Sequence, residues 1–194
     1  AVLASEDVPE VFVIDDEMDI TMYRISYEMV SGNQGHWSDL STEEISTVRD
    51  LMDTMIPTPS GCFIQGFSQW PLKSIGVEHL SGINLRQEEI NWISTKLTGD
   101  VQQEALFSYL TELGCVLRPG FKYGCKWRVY DDDVAKSHAP WLLQPMTEAP
   151  VSWEQTCLSV RLAEGVHKKW VCGLKEDIGD WKFLHIKRWL PGRV

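Results

Sequence analysis

Alternating apolar and polar positions predict β-strands in the first part of the chain. Between residues 10 and 30, the segments VFVID and ITMYRISYEMV alternate in this way on either side of an acidic turn, as half-buried strands do. Cys62 to Trp70 has the character of a further strand. The residues from there to Ile83 show no regular period, and we expect them to be irregular.

Three helices are predicted from apolar positions three and four residues apart, each with a start or stop signal. The first begins after Ser41, which forms a capping-box pattern with Glu44. The second has Asn84 as N-cap and Gly99 past its end, and the third begins after Asp100. The predicted ranges are Thr42 to Met55, Leu85 to Leu97 and Val101 to Leu113.

The second half of the chain has the pattern of strands separated by one further helix. CVLR, the turn at residues 118–120 and KYGCKWRVY predict a hairpin. Residues 152–164 have the period of a helix, and APWLLQPM, KKWVCGL and WKFLHIKRW predict three more strands. These elements indicate an α+β, or mixed α/β, fold with a domain boundary between about residues 84 and 100.

The charge is unevenly divided along the chain, which has a formal net charge of −10. An acidic protein is not an obvious RNA-binding protein, because phosphate contacts need cations. However, residues 1–99 carry 5 Lys and Arg against 16 Asp and Glu, whereas residues 100–194 carry 13 against 12. The second half therefore has the cations for a local basic face.

Cysteine usage and hydropathy indicate the compartment. The five cysteines are odd in number and form no CxxC pair, which argues against a disulfide framework and a structural zinc site. No apolar run reaches the roughly 18 residues that cross a bilayer, and the acidic start lacks the order of a signal peptide. We expect a soluble protein of the cytoplasm, or of the nucleus if the source is eukaryotic.

Cleavage of RNA without a metal needs a base, an acid and a fixed positive charge. The ribose 2′-OH must lose a proton as it attacks the adjacent phosphorus, and the leaving 5′ oxygen must gain one. A cation must stabilise the extra negative charge on the phosphoryl oxygens. Histidine titrates near neutral pH and suits the acid, lysine stays cationic, and tyrosine becomes a base when cations lower its pKa.

Two segments of the second half, RPGFKYGCKWRVYDDDVAKSHAPWLL and SVRLAEGVHKKWVCGL, carry these groups. They resemble the catalytic domain of the archaeal-type tRNA intron endonucleases. That family shows a G-[FL]-K-[FY]-G-x-x-[FW]-R-[VL]-Y stretch, a His shortly after it, and an Arg-x-Ala…Lys-Lys segment before a strand. The matching positions are Gly120 to Tyr130, His138 and Arg161 to Lys169, and the connection from Tyr130 to His138 is shorter than the family more often has. The resemblance covers roughly residues 85–190.

The resemblance implies a small N-terminal α/β domain at residues 1–84 and a nuclease-like catalytic domain at residues 85–194, with a mixed central sheet flanked by helices. It also implies a metal-independent endonuclease that needs no cofactor. The substrate would be the bulge–helix–bulge at the exon–intron junctions of precursor tRNA, and the products a 2′,3′-cyclic phosphate and a 5′-OH. Tyr130 would be the general base, His138 the general acid, and Lys168 the cation that stabilises the transition state.

Further residues are implied to hold the RNA and a partner subunit. Arg161 matches an arginine that stacks on a flipped-out bulge base, and its partner is a cation on the last strand, for which Arg188 is favoured over Lys187. Subunits of the family dock through an acidic loop, which here consists of Glu176, Asp177 and Asp180. We expect a homo-oligomer, or a hetero-oligomer with a structural subunit, and no membrane partner.

Three other interpretations stay open at this point. A metal-dependent nuclease would use Asp131 to Asp133, although adjacent residues of a strand point to opposite faces and chelate poorly. A structural subunit would keep the fold and have lost the chemistry. The second half could also be an unrelated α/β binding domain, in which Arg161 only pairs with Glu164 along its helix.

Overall fold

The computed structural model describes residues 9–66, 69–100, 105–176 and 180–189. Within these ranges the helices are α1 (Thr42–Asp53), α2 (Gln87–Thr98), α3 (Leu106–Glu112) and α4 (Trp153–Gly165). The strands are β1 (Glu10–Ile14), β2 (Ile20–Tyr27), β3 (Ile56–Thr58), β4 (Gly61–Gln65), β5 (Val77–His79), β6 (Gly82–Arg86), β7 (Val116–Pro119), β8 (Trp127–Tyr130), β9 (Trp141–Pro145), β10 (Lys169–Lys175) and β11 (Trp181–Trp189). The predicted α+β fold class is confirmed.

The chain divides into two compact units, one of which is built from two separate segments of the sequence. One unit combines the residues up to Ser31 with those from Leu117 onward, and the other spans Gly32 to Val116. Strands β1 and β2 therefore come from the start of the chain but join the sheet of its second half. The division into independently folding domains at residues 1–84 and 85–194 stays a prediction.

The first unit contains a seven-stranded sheet with the order β1-β2-β11-β10-β9-β8-β7. β9 and β10 are parallel, whereas β1/β2, β2/β11, β11/β10 and β9/β8 are antiparallel pairs. Strands covered on both faces are apolar along most of their length, and Leu142, Leu143 and Val171 are fully buried at the centre of this sheet. The sheet and its two parallel strands agree with the predicted mixed central sheet.

Helix α4 connects the two parallel strands and packs against β10 and β11. Ser152 caps its start by accepting a hydrogen bond from the Gln155 N–H (3.3 Å), which agrees with the predicted helix. Val160 and Ala163 face a core that also contains Tyr23 from β2. The opposite side of α4 remains exposed, so the helix covers one face of the sheet with a single apolar side.

The second unit contains α1, α2, α3 and an antiparallel sheet with the order β3-β4-β6-β5. The predicted capping box of α1 is confirmed, because Ser41 Oγ accepts from the Glu44 N–H (3.2 Å) and the Glu44 carboxylate accepts from the Ser41 N–H (2.8 Å). The helix ends at Asp53, two residues before the predicted end. Residues 101–104 of the third predicted helix lie outside the described residues, and α3 covers the rest.

The prediction of irregular structure up to Ile83 and of a helix starting at Leu85 is wrong. Residues 77–79 and 82–86 form β5 and β6, and Asn84 pairs with Phe63 on β4 instead of capping a helix. Helix α2 starts after Arg86, whose backbone N–H donates to Glu89 Oε2 (2.8 Å). Strand β6 is stabilised by pairing with β4, which is distant in the sequence, and a local hydrophobic period does not reveal such pairing.

No helix within the described ranges has both the length and the apolar character needed to span a membrane.

Candidate active site

Three strands of the seven-stranded sheet bring the predicted catalytic segments together at one end of the strands. Val129 on β8 pairs with Trp141 on β9, and Trp141 pairs with Lys169 on β10. One residue beyond this row, at the end of β8, the same register aligns Tyr130 with residue 140 and with Lys168. Because neighbouring strands lie about 4.8 Å apart, the end of β8 and the starts of β9 and β10 lie side by side.

Lys168 is held against the segment that carries His138. The Lys168 ammonium donates a hydrogen bond to the carbonyl of Ala139, at an Nζ–O distance of 2.6 Å. The Lys169 N–H donates to the carbonyl of Pro140 (2.9 Å) and extends the contact into the parallel ladder. His138, immediately before Ala139, has an exposed side chain. The structure thus places the predicted acid and the predicted cation in one neighbourhood.

Tyr130 lies on the same face of the sheet as Lys168, because residues in one row of a sheet point to the same side. Its side chain is 6% exposed at the end of β8. The guanidinium of Arg128 lies over its ring, with Cζ 5.9 Å from the ring centroid. Burial lowers the pKa of Lys168, and the positive charge of Arg128 lowers it further. Arg128 therefore interacts with both residues: its guanidinium lies over the Tyr130 ring, and its charge acts on Lys168.

Two glycines of the family-like stretch shape the turn before β8. A Cβ on Gly120 would lie 2.4 Å from Cys125 Sγ and 2.8 Å from the Cys125 carbonyl oxygen, so a larger residue does not fit without a shift. Gly124 has a φ of +65°, a left-handed conformation that favours glycine. The Gly120 N–H closes the turn by donating to the Lys126 carbonyl (2.9 Å). This turn fixes where β8 starts and therefore where Tyr130 ends it.

The acidic loop after Tyr130 uses its carboxylates for local structure. Asp132 Oδ1 accepts from the Asp133 N–H (2.7 Å), and Asp133 Oδ1 accepts from the Ala135 N–H (2.9 Å). The hydrogen bond from Ala135 and the nearby Lys136 ammonium hold the pKa of Asp133 below its usual range. Within the described ranges, no three His, Cys, Asp or Glu side chains group as metal ligands do. Asp132 and Asp133 thus shape the loop through hydrogen bonds to its backbone.

The two predicted RNA-binding arginines lie on α4 and β11. Both Arg161 and Arg188 have exposed side chains. The Arg188 N–H donates to Glu164 Oε1 (2.9 Å), and Glu164 follows Arg161 by one helical turn. No Arg161–Glu164 ion pair is present in the described part of the chain. Arg188 also shares the row of Lys168, whereas Lys187 points to the other face, so the geometry favours Arg188.

The predicted docking residues flank the connection between β10 and β11. Glu176 Oε1 lies 2.5 Å from Lys182 Nζ, and the Glu176 N–H donates to the Asp180 carbonyl (3.1 Å). Both acidic side chains are exposed. Asp177 lies outside the described residues. Glu176 is thus partly neutralised within the chain, which sequence reasoning did not anticipate.

The sequence analysis missed Glu28, which follows β2. Its carboxylate accepts hydrogen bonds from Lys169 Nζ (2.7 Å) and Trp141 Nε1 (2.9 Å) and lies 3.9 Å from His185 Nδ1. Burial alone would raise the pKa of Glu28, but the hydrogen bonds from Lys169 and Trp141 outweigh it and lower the pKa. These residues are far apart in the sequence, so no local signal could have identified the cluster.

The Glu28 cluster lies on the sheet face opposite Lys168. Lys169 is the first residue of β10 and Lys168 directly precedes it, so we infer from the strand alternation that their side chains extend to opposite sides. Glu28 holds Lys169 on one side, while the Ala139 carbonyl holds Lys168 on the other. The adjacent lysines thus have different surroundings, which explains how a Lys-Lys pair contributes one cation to the site and one to the scaffold.

Comparisons with known proteins agree with this arrangement. Residues 101–183 match the tRNA intron endonuclease catalytic C-terminal domain. Among curated relatives, a tRNA-splicing endonuclease of Thermoplasma volcanium is 27% identical over 177 residues, which cover 91% of this chain and 54% of the relative. That of Natronomonas pharaonis is 26% identical, covering 92% and 59%. That of Methanopyrus kandleri is 29% identical, covering 53% and 59%. The chain thus spans little more than half the length of these relatives.

The Glu28 cluster predicts a loss of stability in mild acid that depends on His185. Burial lowers the pKa of His185, with the Glu28 charge acting in the opposite direction. The unfolded chain, in which histidine titrates near pH 6.5, therefore binds more protons than the folded chain as the pH falls through this region. Stability conferred by the neutral buried imidazole is present above pH 6.5 and is lost as the pH falls toward the lowered value.

We expect His185→Gln to lose less stability than the wild type between pH 7 and pH 5, as measured by urea denaturation followed by tryptophan fluorescence. His79→Gln, at an exposed histidine of β5, is the matched control and should behave like the wild type. Equal pH dependence in wild type and His185→Gln would show that His185 does not contribute through its protonation.

Proposed function

Because residues 101–183 match the tRNA intron endonuclease catalytic C-terminal domain, we propose that the chain belongs to that family and cleaves precursor tRNA at exon–intron junctions. The substrate is the bulge–helix–bulge, and the reaction is a metal-independent transesterification that needs no cofactor. The observation that supports this most strongly is the alignment of Tyr130 with residue 140 and Lys168, together with the hydrogen bond from Lys168 to the carbonyl of the residue after His138. A phenol and an ammonium thus lie close to the segment that carries the imidazole.

The chemistry follows from the three groups. In its phenolate form, Tyr130 takes the proton of the ribose 2′-OH, whose oxygen then forms a bond to the adjacent phosphorus. The bond from phosphorus to the 5′ oxygen breaks, and His138, in its imidazolium form, donates a proton to that leaving oxygen. The products are a 2′,3′-cyclic phosphate and a 5′-OH, with no net gain or loss of electrons. The two side chains return to their starting protonation states by exchange with solvent.

Lys168 stabilises the charge that develops on the phosphoryl oxygens. Its ammonium is partly buried and fixed by the Ala139 carbonyl, so little reorganisation is needed when the charge appears. A partly buried cation acts more strongly than one in water, because the surrounding dielectric constant is lower. His138 remains exposed, which suits a group that must regain a proton after each cleavage.

Arg161 and Arg188 bind the unstacked bases of the bulge. Guanidinium groups stack on bases that leave a helix, and both arginines have exposed side chains on the side of the sheet that carries Lys168. Glu164 accepts a hydrogen bond from the Arg188 N–H, and among the described residues neither guanidinium group forms an ion pair. This distribution supports a binding surface next to the site of cleavage.

Two cleavage sites in each substrate call for two active sites at a fixed distance, so the chain acts in an oligomer. The partner is a second copy or a structural subunit, docked through Glu176, Asp177 and Asp180. The five thiols are all free, which suits a reducing compartment. We assign the activity to the cytoplasm, or to the nucleus if the source is eukaryotic.

Lys168→Ala and His138→Ala are expected to reduce cleavage of an intron-containing precursor tRNA by about 10²–10⁴-fold each, since positioned acid–base and charge-stabilising groups contribute on this scale. The assay is single-turnover cleavage in excess EDTA, with end-group analysis of the fragments. Lys73→Ala and His79→Ala, at exposed positions of the second unit, are the matched controls and should cleave normally.

Three outcomes of this assay would contradict the proposal. Fragments that end in 3′-OH exclude the transesterification. Loss of cleavage in EDTA indicates a metal-dependent reaction. Wild-type protein that binds the RNA and leaves it intact is a structural subunit.

For the bulge contact, we expect Arg161→Ala to weaken the binding of bulged RNA by about tenfold, since base stacking contributes roughly 1–3 kcal/mol. Binding to a fully paired duplex of the same length should change much less. The measurement is fluorescence anisotropy at fixed ionic strength, with Arg49→Ala on α1 as the control. Equal loss for both RNAs would assign Arg161 a general electrostatic role.

For the docking contact, we expect Glu176→Lys combined with Asp180→Lys to reduce the oligomer mass measured by light scattering. Charge reversal places cations against the basic pocket that the acidic loop would enter. Lys182→Ala removes the ion pair within the chain but keeps both carboxylates, so it should leave the assembly intact. An unchanged mass for the double variant would remove this loop from the interface.

A further inference from the structure

Arg128 has a position that the sequence analysis did not assign to function. It precedes Tyr130 by two residues on β8, so both side chains lie on the same sheet face. Its Cζ lies 5.9 Å from the Tyr130 ring centroid. Its Nε donates to the Pro119 carbonyl (3.1 Å), which orients the guanidinium over the ring.

Arg128 and Lys168 form a pair of cations that has no counter-ion within the described ranges. The electrostatic influence of Arg128 reaches Lys168 and lowers its pKa, in addition to the effect of burial. Among the described residues, neither side chain has a carboxylate within ion-pair distance. Two neighbouring cations repel each other, and an anion bound between them would offset this repulsion. This local excess of positive charge occurs in a chain whose net charge is −10.

We propose that Arg128 contacts a non-bridging oxygen of the scissile phosphate, next to Lys168, as a further catalytic residue of the reaction. This inference rests on the proposed function. A guanidinium presents parallel N–H donors that match the geometry of phosphate oxygens. Because Nε is engaged by Pro119, the contact is made by Nη1 and Nη2. Arg128 and Lys168 then share the charge that develops in the transition state, and the substrate supplies the missing anion.

A structural role makes a different prediction from a catalytic one. If Arg128 only ties Tyr130 to the Pro119 turn, its loss misplaces the tyrosine, and its charge has no part in the transition state. If Arg128 contacts the phosphate, its charge is needed in the transition state. Arg128→Lys keeps a charge but not the fork, and Arg128→Gln keeps an N–H donor without the charge.

The first test compares Arg128→Gln and Arg128→Lys with the wild type in precursor tRNA cleavage. We expect Arg128→Gln to lower kcat by about 10²-fold with a change in KM of less than about threefold, because the contact strengthens in the transition state. Arg128→Lys should recover part of the loss. Arg49→Gln, at an exposed arginine of α1, is the matched control. A raised KM with unchanged kcat would overturn the catalytic assignment, as would normal kinetics.

The pH dependence tests whether the Arg128 charge acts on Lys168, which the shared phosphate contact requires. Lys168 has a lowered pKa, so its ammonium is lost at a lower pH than that of an ordinary lysine as the pH rises. Removing the Arg128 charge raises this pKa. The alkaline loss of activity should therefore move to higher pH in Arg128→Gln. A shift to lower pH, or none, contradicts the proximity of the two cations.

A binding measurement separates this inference from the proposed function. Inorganic phosphate is titrated into the full chain at low ionic strength and followed by NMR of the Lys168 and Arg128 side chains. Phosphate binding that Arg128→Gln abolishes supports the anion contact even if the wild type does not cleave precursor tRNA, in which case only the proposed function fails. Binding that is unaffected by Arg128→Gln overturns the inference, whether or not the wild type cleaves RNA.

Discussion

The candidate active site depends on the hydrogen-bonded register of β8, β9 and β10. Val129, Trp141 and Lys169 form one row across these strands, and the next row toward the edge holds Tyr130 and Lys168. A slip of one residue in either pairing would turn the affected side chains to the other face of the sheet. The hydrogen bond from Lys168 to the Ala139 carbonyl depends on the same alignment. Backbone pairing therefore positions groups that are distant in the chain.

The sheet also separates two electrostatic environments. One face carries Lys168 and Arg128, whose positive charges lack carboxylate partners among the described residues. The opposite face carries Glu28, which neutralises Lys169 and holds Trp141. An acidic protein can in this way present a local positive surface, because Glu28 pairs with Lys169 on the other face of the sheet. Net charge alone is therefore a poor guide to the electrostatics of this face.

Local patterns predicted much of the fold. The capping box at Ser41 and the helical period of α4 identified two helices, and alternating or apolar runs identified β1, β2, β9, β10 and β11. The predicted element boundaries were wrong where pairing between distant segments determines the structure. Asn84 has the residue type of an N-cap, but its pairing with Phe63 makes it part of a strand.

Some residues of the candidate site could be predicted from the sequence and others could not, for the same physical reason. The family-like motif identified Tyr130, His138 and Lys168, and the register then showed that their segments are neighbours. Glu28 could not be found this way, because its role arises from contacts across the sheet. The same motif contains Arg128 but implied no role for it, because its significance comes from its position beside two other side chains.

The most direct test of the account is a crystal structure of the chain bound to a bulge–helix–bulge RNA that carries a 2′-deoxy sugar at the cleavage site. Without the attacking hydroxyl the RNA stays intact, so the contacts to the scissile phosphate can be measured. The account predicts hydrogen-bond distances of about 2.6–3.2 Å from Lys168 to a phosphate oxygen and from His138 to the leaving oxygen, with Tyr130 next to the 2′ carbon. A phosphate bound elsewhere, with these three side chains in solvent, would contradict it.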